Sequence, residues 1–194
     1  MKTMDYSVGF WDRIAKRYAK KPVADEVTYQ KKLAVTQQYF RPDMKVLEFA
    51  CGTGSTAIVH APHVKEYHAI DVSPKMIEIA EQKLVANPLA NLTFERAALE
   101  EYPVADESVD AVLGLSILHL LNDPEEAIAR VYQMLKPGGV FVSSTACLGD
   151  TMAYFRFIAP VGKFLRLIPG VKVFTRQQLE SYLIKAGFRI EYRL

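Results

Sequence analysis

The sequence predicts a doubly wound α/β domain with a mostly parallel sheet, and three observations carry that expectation. From Lys45 onward, short apolar runs alternate with segments of helical pattern. The first run, KVLEF, opens into a glycine-bearing turn, ACGTG. The second, YHAID, ends in Asp71. A glycine turn after one strand and an acid at the end of the next suit a nucleotide-like ligand lying across the carboxyl ends of neighbouring parallel strands.

The elements follow in order. The first 40 residues read as helical, with Trp11, Ile14, Ala15 and Tyr18 at 3–4 spacing, and Leu33, Val35, Gln37 and Phe40 more loosely so. Pro22 and Pro42 mark breaks. Strands are expected at 45–50, 66–71, 91–95, 108–115, 139–145 and 188–193. Ser73 can cap a helix that opens on Pro74 and turns Met76, Ile77, Ala80 and Leu84 inward. Asp123 and Pro124 repeat the device for a helix striped by Ala127, Ile128, Val131 and Leu135, which stops at Lys136-Pro137-Gly138-Gly139. Thr175 and Gln178 form a capping box before Leu179, Tyr182 and Leu183, and Gly187 ends that helix. One domain over 1–194 results: an N-terminal helical cap (1–42), a ligand-binding core (43–150), an apolar insertion (151–173) and a closing helix and strand (174–194).

Bulk properties narrow the function classes. A chain of 194 residues, half of them hydrophobic, can bury a full core. A formal net charge of +2 is too small to make nucleic acid the expected partner. No stretch approaches the roughly 20 apolar residues that span a bilayer, and the N-terminus lacks the pattern of a signal peptide. Cys51 and Cys147 match no metal or redox spacing, so the expected setting is a reduced cytoplasm.

The turn ACGTG admits three readings. Gly52 and Gly54 can serve a plain connection. Gly52 to Ala57 also satisfies the dinucleotide pattern G-x-G-x-x-G/A, with Asp71 at the expected distance. The third reading, a seat for S-adenosylmethionine, gives Glu48 a role, because a carboxylate there can reach the cationic end of that cofactor directly or through water. A pyrophosphate would be repelled by the same charge.

VLEFACGTG resembles the first motif of the class I S-adenosylmethionine-dependent methyltransferases, and AIDVSPKMIEIA resembles the second. The stretch from Phe94 to Val142 is similar to the centre of the same family, near its small-molecule and quinone or lipid branch. The resemblance covers about 45–145 and implies a Rossmann-like fold with strand order 3-2-1-4-5 and then 6. It implies S-adenosylmethionine as cofactor, S-adenosylhomocysteine as product, and a small apolar or amphipathic acceptor as partner. It places Glu48, Ala50, Gly52, Thr53 and Gly54 around the methionine end, Asp71 on the ribose, and Val72 and Met76 against the adenine. Leu115 and Ser116 fall beside the methyl group, with His119 one turn on as a candidate base, while the reaction can proceed without a dedicated base. Tyr18, within FWDRIAKRYA, matches a tyrosine that covers the cofactor. The family often has Gly-Asp-Ala where this chain has Ala97, Ala98 and Leu99, so the adenine edge meets Ala98 instead of a carboxylate. Loss of that contact is worth about 1.5–3 kcal/mol. A cofactor-binding protein without turnover, and a nicotinamide-dependent oxidoreductase, stay open as alternatives.

Other candidates read more plainly. His60, His63 and His68 are expected at surfaces or junctions, not on a metal. Tyr132 and Lys136 share the spacing of short-chain dehydrogenases, but they end a helix, and coincidence is the reading. The insertion 151–173 carries Tyr154, Phe155, Phe157, Phe164 and Leu165, interrupted by Arg156, Lys163 and Arg166. It reads as a packed helical subdomain, a lid over an apolar substrate, or a peripheral membrane contact. With a sixth strand and no seventh, the sheet would keep an open edge unless the chain continues or another element covers it.

Overall fold

The computed structural model describes residues 2–152, 154, 158 and 168–193, with side chains from Val8 onward. Two helices come first, α1 (Lys2–Lys20) and α2 (Glu26–Gln37). Asp25 caps α2 by accepting from the Thr28 N–H at 2.9 Å. The alternating part then runs β1 (Lys45–Phe49), α3 (Ser55–His60), β2 (Glu66–Asp71), α4 (Pro74–Ala86), β3 (Leu92–Arg96), β4 (Val109–Leu115), α5 (Pro124–Met134) and β5 (Leu135–Ser144). Short helices α6 (Leu148–Thr151) and α7 (Arg176–Ala186) follow, with single 3-10 turns at Ala61–His63 and Leu118–Leu120.

The strands form one sheet in the order β3-β2-β1-β4-β5, and every neighbouring pair is parallel. Successive strand residues point to opposite faces, and the central strands are apolar on both. Val46, Tyr67, Ala69, Ala111 and Leu113 pack with Ala57 of α3 and Ile77 of α4. Leu47, Phe49, Ile70 and Val112 pack with Ile128, Val131 and Met134 of α5 and with Leu179 and Leu183 of α7. The expected caps form: Ser73, Asp123 and Thr175 each accept from a first-turn N–H, and Thr175 with Gln178 closes a full capping box.

Two strand expectations need correction. β5 begins at Leu135, not at 139, because Leu135 already pairs with Val109. The ladder then slips so that Val140 faces Ala111, and the intervening Lys136-Pro137-Gly138-Gly139 bulges out opposite Asp110. Residues 188–193 form no strand. Phe188 is drawn onto Tyr132 and Phe141 at ring distances of 5.1 and 5.6 Å, and Arg193 pairs with Glu180 of α7. Side-chain packing thus holds this segment without a ladder. Among the described residues β5 remains an edge, and a cleft of about 1080 Å³ runs along it between α2, α7 and residues 187–193. Most of the insertion 151–173 lies outside the described residues.

Candidate functional site

The site grows from the turn that follows β1. Three of its five residues sit in the left-handed region, Ala50 at φ +54°, Gly52 at +56° and Gly54 at +73°. For Ala50 this costs about 1–2 kcal/mol, so the surroundings must hold the turn. They do so from β2: the Cys51 N–H donates to the Ile70 carbonyl at 3.0 Å, and the Gly52 N–H donates to Asp71 Oδ2 at 2.9 Å. The two glycines serve different ends. A Cβ on Gly54 would stand 2.5 Å from the Phe94 ring and 2.8 Å from Ala80 Cβ, so this glycine lets the turn pack on α4 and β3. A Cβ on Gly52 would meet nothing nearer than Tyr18 Cε1 at 3.9 Å. Tyr18 of α1 thus covers this position at ordinary contact distance, and no backbone of the fold crowds it.

Asp71 ends β2 and is 7% exposed. Besides Gly52, it accepts from the Ser73 N–H through Oδ1 at 2.8 Å. Burial raises its pKa, while the two backbone donors pull it back. Each carboxylate oxygen keeps a free lone pair for a further donor, such as a ribose hydroxyl. Glu48, two residues before the turn, is 2% exposed. Its Oε2 accepts from the Tyr67 hydroxyl at 2.8 Å, and burial pushes its pKa up to about 8. Without a ligand this carboxyl is neutral at pH 7, and a cation brought near it would favour its ionisation. Simple charge repulsion of a pyrophosphate is therefore weaker than the sequence implied.

The remaining candidates fall into three places. Val72 and Met76 continue from Asp71 into α4, with Met76 buried at 2% exposure. Ala98 and Leu99 follow β3 in a segment tied to β2 by the Ala97 N–H donating to the Asp71 carbonyl at 3.1 Å. Both are buried, and Leu99 packs in the α5 side of the core. Leu115 and Ser116 stand at the end of β4, where Ser116 takes φ +57° and its N–H donates to the Ser144 carbonyl. His119 lies on the next 3-10 turn, and its Nδ1 is 2.8 Å from Thr145 Oγ1. Burial lowers its pKa, so it is held neutral. Its Nε2 can take a proton only in the tautomer whose Nδ1–H donates to Thr145.

Three participants escaped the sequence reading. Tyr67 reaches Glu48 because β1 and β2 run in register, Glu48 opposite Ala69. Asp12 of α1 accepts from the Ser73 hydroxyl at 2.6 Å and from the Lys75 N–H at 3.2 Å, latching α1 onto the start of α4. Lys83, in the last turn of α4, reaches back to the glycine turn. Its only sequence signal is a place three residues after Ala80 on the inward stripe. Among the dismissed candidates, His60 packs edge-on against Phe40, His68 pairs with Glu66, and Lys136 pairs with Asp110. Among the described residues no group of three or more His, Cys, Asp or Glu stands where it could hold a metal ion. No described helix is long and apolar enough to cross a membrane.

Residues 47–143 match a family described as a methyltransferase domain. A demethylmenaquinone methyltransferase of Symbiobacterium thermophilum is 30% identical over 156 residues, 76% of this chain and 60% of that protein. A malonyl-[acyl-carrier protein] O-methyltransferase of a Paenibacillus species is also 30% identical, over 76% of this chain and 56% of its own length. The chain thus spans less than two thirds of these relatives. Among solved structures, the YcgJ protein of Bacillus subtilis superposes with a TM-score of 0.70 at 20% identity, covering 81% of this chain and 68% of that one. A complex of the Haloferax volcanii Trm112 methyltransferase activator with its partner protein gives 0.73 at 18% identity, over 94% of this chain and 77% of that one. These likenesses show that the Rossmann-like fold is shared.

Proposed function

We propose that this chain, which belongs to the methyltransferase domain family, binds S-adenosylmethionine and passes its methyl group to a small apolar or amphipathic acceptor. The observation that carries the reading is the turn itself: Gly52, left-handed and covered by Tyr18, is bonded to Asp71, and the buried Glu48 precedes it. These residues fit such a cofactor. Asp71 would take the ribose hydroxyls, the turn Ala50–Gly54 the methionine end, Val72 and Met76 the adenine, and Tyr18 the outer side. Ala98 and Leu99 offer the adenine edge only backbone groups. When bound, the sulfonium supplies an electrophilic methyl group.

The chain's own work is to hold the two reactants in line and to keep water out. Glu48 stays neutral until a positive charge approaches and then gives it a partner in a dry setting. The acceptor's proton leaves to bulk water or to His119 through Nε2, with Thr145 fixing the ring. The cleft along β5 reaches Leu115, Ser144 and Thr145 and is walled by Phe141, Leu183 and Phe188, which supports an apolar or amphipathic acceptor. Relatives named for a quinone precursor and for an acyl-carrier-bound malonyl group agree with that chemistry.

Titration calorimetry with S-adenosylmethionine tests the reading. The intact protein should bind, and Asp71→Ala and Gly52→Val should bind more weakly; no binding by the intact protein would overturn it. The apolar Ala98 favours a second reading, binding without turnover, and methyl transfer to a panel of quinones, phenols and lipids separates the two.

A further inference from the structure

The glycine turn is held from β2 at Cys51 and Gly52, but its second half needs another anchor. The Gly54 N–H closes onto the Cys51 carbonyl at 3.1 Å, and the Thr53 carbonyl takes a side-chain donor instead. Lys83 meets it: Nζ donates to the Thr53 carbonyl at 2.9 Å, to Thr53 Oγ1 at 2.9 Å and to Ser55 Oγ at 2.8 Å. All three ammonium protons are used, and no carboxylate pairs with this lysine among the described residues. Thr53 is 6% exposed, so its carbonyl would otherwise be a poorly solvated acceptor. Gly54 packs on Ala80 one turn earlier in the same helix. The helix therefore grips the turn twice, once by contact and once by charge-assisted hydrogen bonds.

We infer that Lys83 is a positioning residue for the cofactor seat: by tethering Thr53 and Ser55 to α4 it fixes the turn whose Gly52 face receives the methionine end of S-adenosylmethionine. This rests on the S-adenosylmethionine reading above. A turn with left-handed φ at Ala50, Gly52 and Gly54 has ready alternatives once a tether is cut, and those alternatives must be frozen out again when the ligand binds. Lys83 touches neither Asp71 nor Glu48 through any hydrogen bond in the described structure, so its effect is exerted through the turn.

The test compares the wild-type chain with Lys83→Met. Calorimetry well below the unfolding midpoint should show S-adenosylmethionine bound about tenfold more weakly, the scale of one lost charge-assisted contact. Hydrogen exchange without ligand should speed up at amides 51–55 while those of β1 and β2 keep their protection. Burial lowers the Lys83 pKa, so the affinity ratio between the two proteins should narrow as the pH rises into the alkaline range. A packing role alone would not move with pH. Unchanged affinity in a folded variant, or a ratio constant with pH, would overturn the inference. Should the methionine variant not fold, Lys83→Gln carries the same comparison. The exchange measurement needs no cofactor. Faster turn exchange in a chain that binds no S-adenosylmethionine would leave the tether standing and sink the function reading instead.

Discussion

Adding one methyl group at each of the two turn glycines should separate folding from binding. At Gly54 the new Cβ would lie 2.5 and 2.7 Å from two Phe94 ring atoms and 2.8 Å from Ala80 Cβ, all too close to bear. The left-handed φ of +73° adds strain of about 1–2 kcal/mol, and overpacking adds about 1–3 kcal/mol, so Gly54→Ala should lose about 2–5 kcal/mol of stability. At Gly52 the Cβ meets only Tyr18 at 3.9 Å, so Gly52→Ala should lose about 1–2 kcal/mol, from φ alone. That methyl would occupy the space assigned to the ligand and should weaken S-adenosylmethionine by about tenfold or more. Urea unfolding followed by fluorescence reads the first quantity, and calorimetry the second. Equal destabilisation by the two variants, or full affinity in Gly52→Ala, would refute the division of labour.

Three further outcomes follow from buried polar groups. Glu48 is held protonated up to about 8 in the fold but ionises near its ordinary 4.5 when unfolded, so its stabilising share is present below 4.5 and lost as pH rises through 8. Glu48→Gln should flatten unfolding free energy across pH 4.5–8, removing a slope of at most about 1.4 kcal/mol per pH unit; an unchanged slope would contradict the burial argument. His60 has neither ring nitrogen hydrogen-bonded among the described residues, and burial lowers its pKa from 6.5 to about 4. The unfolded chain takes that proton first as pH falls from 6.5 to 4, so His60→Leu should gain on the wild type as the medium is acidified, read by denaturant midpoints. Asp12→Ala should cost about 1 kcal/mol by freeing the Ser73 hydroxyl and the Lys75 N–H, and trypsin should then cut α1 at Lys16 and Arg17 faster.

Local signals made much of the fold legible. Ser73-Pro74, Asp123-Pro124 and Thr175-x-x-Gln178 marked helix starts because a cap is decided within four residues. The runs ending at Phe49, Asp71 and Leu115 became the central strands because both faces are largely buried, which leaves mostly apolar strings interrupted by Glu48, His68 and Asp110. The misses lie where distant partners decide. Residues 188–193 alternate well enough for a strand, yet Tyr132, Phe141 and Glu180 claim their side chains. Leu135 ends a helical stripe and also opens β5, since Val109 waits opposite it. Glu48 and Asp71 could be read as a pair from their places at strand ends. Tyr67, Asp12 and Lys83 could not, because each joins the site only through strand register or helix packing.

The central claim is that the turn after β1 and the acid ending β2 together seat the methyl donor. A crystal structure grown with S-adenosylhomocysteine tests it most directly. The account predicts the ribose hydroxyls on Asp71 and the amino-acid end over Gly52, beneath Tyr18. A nucleoside bound elsewhere, with the space at Gly52 left to solvent, would contradict it.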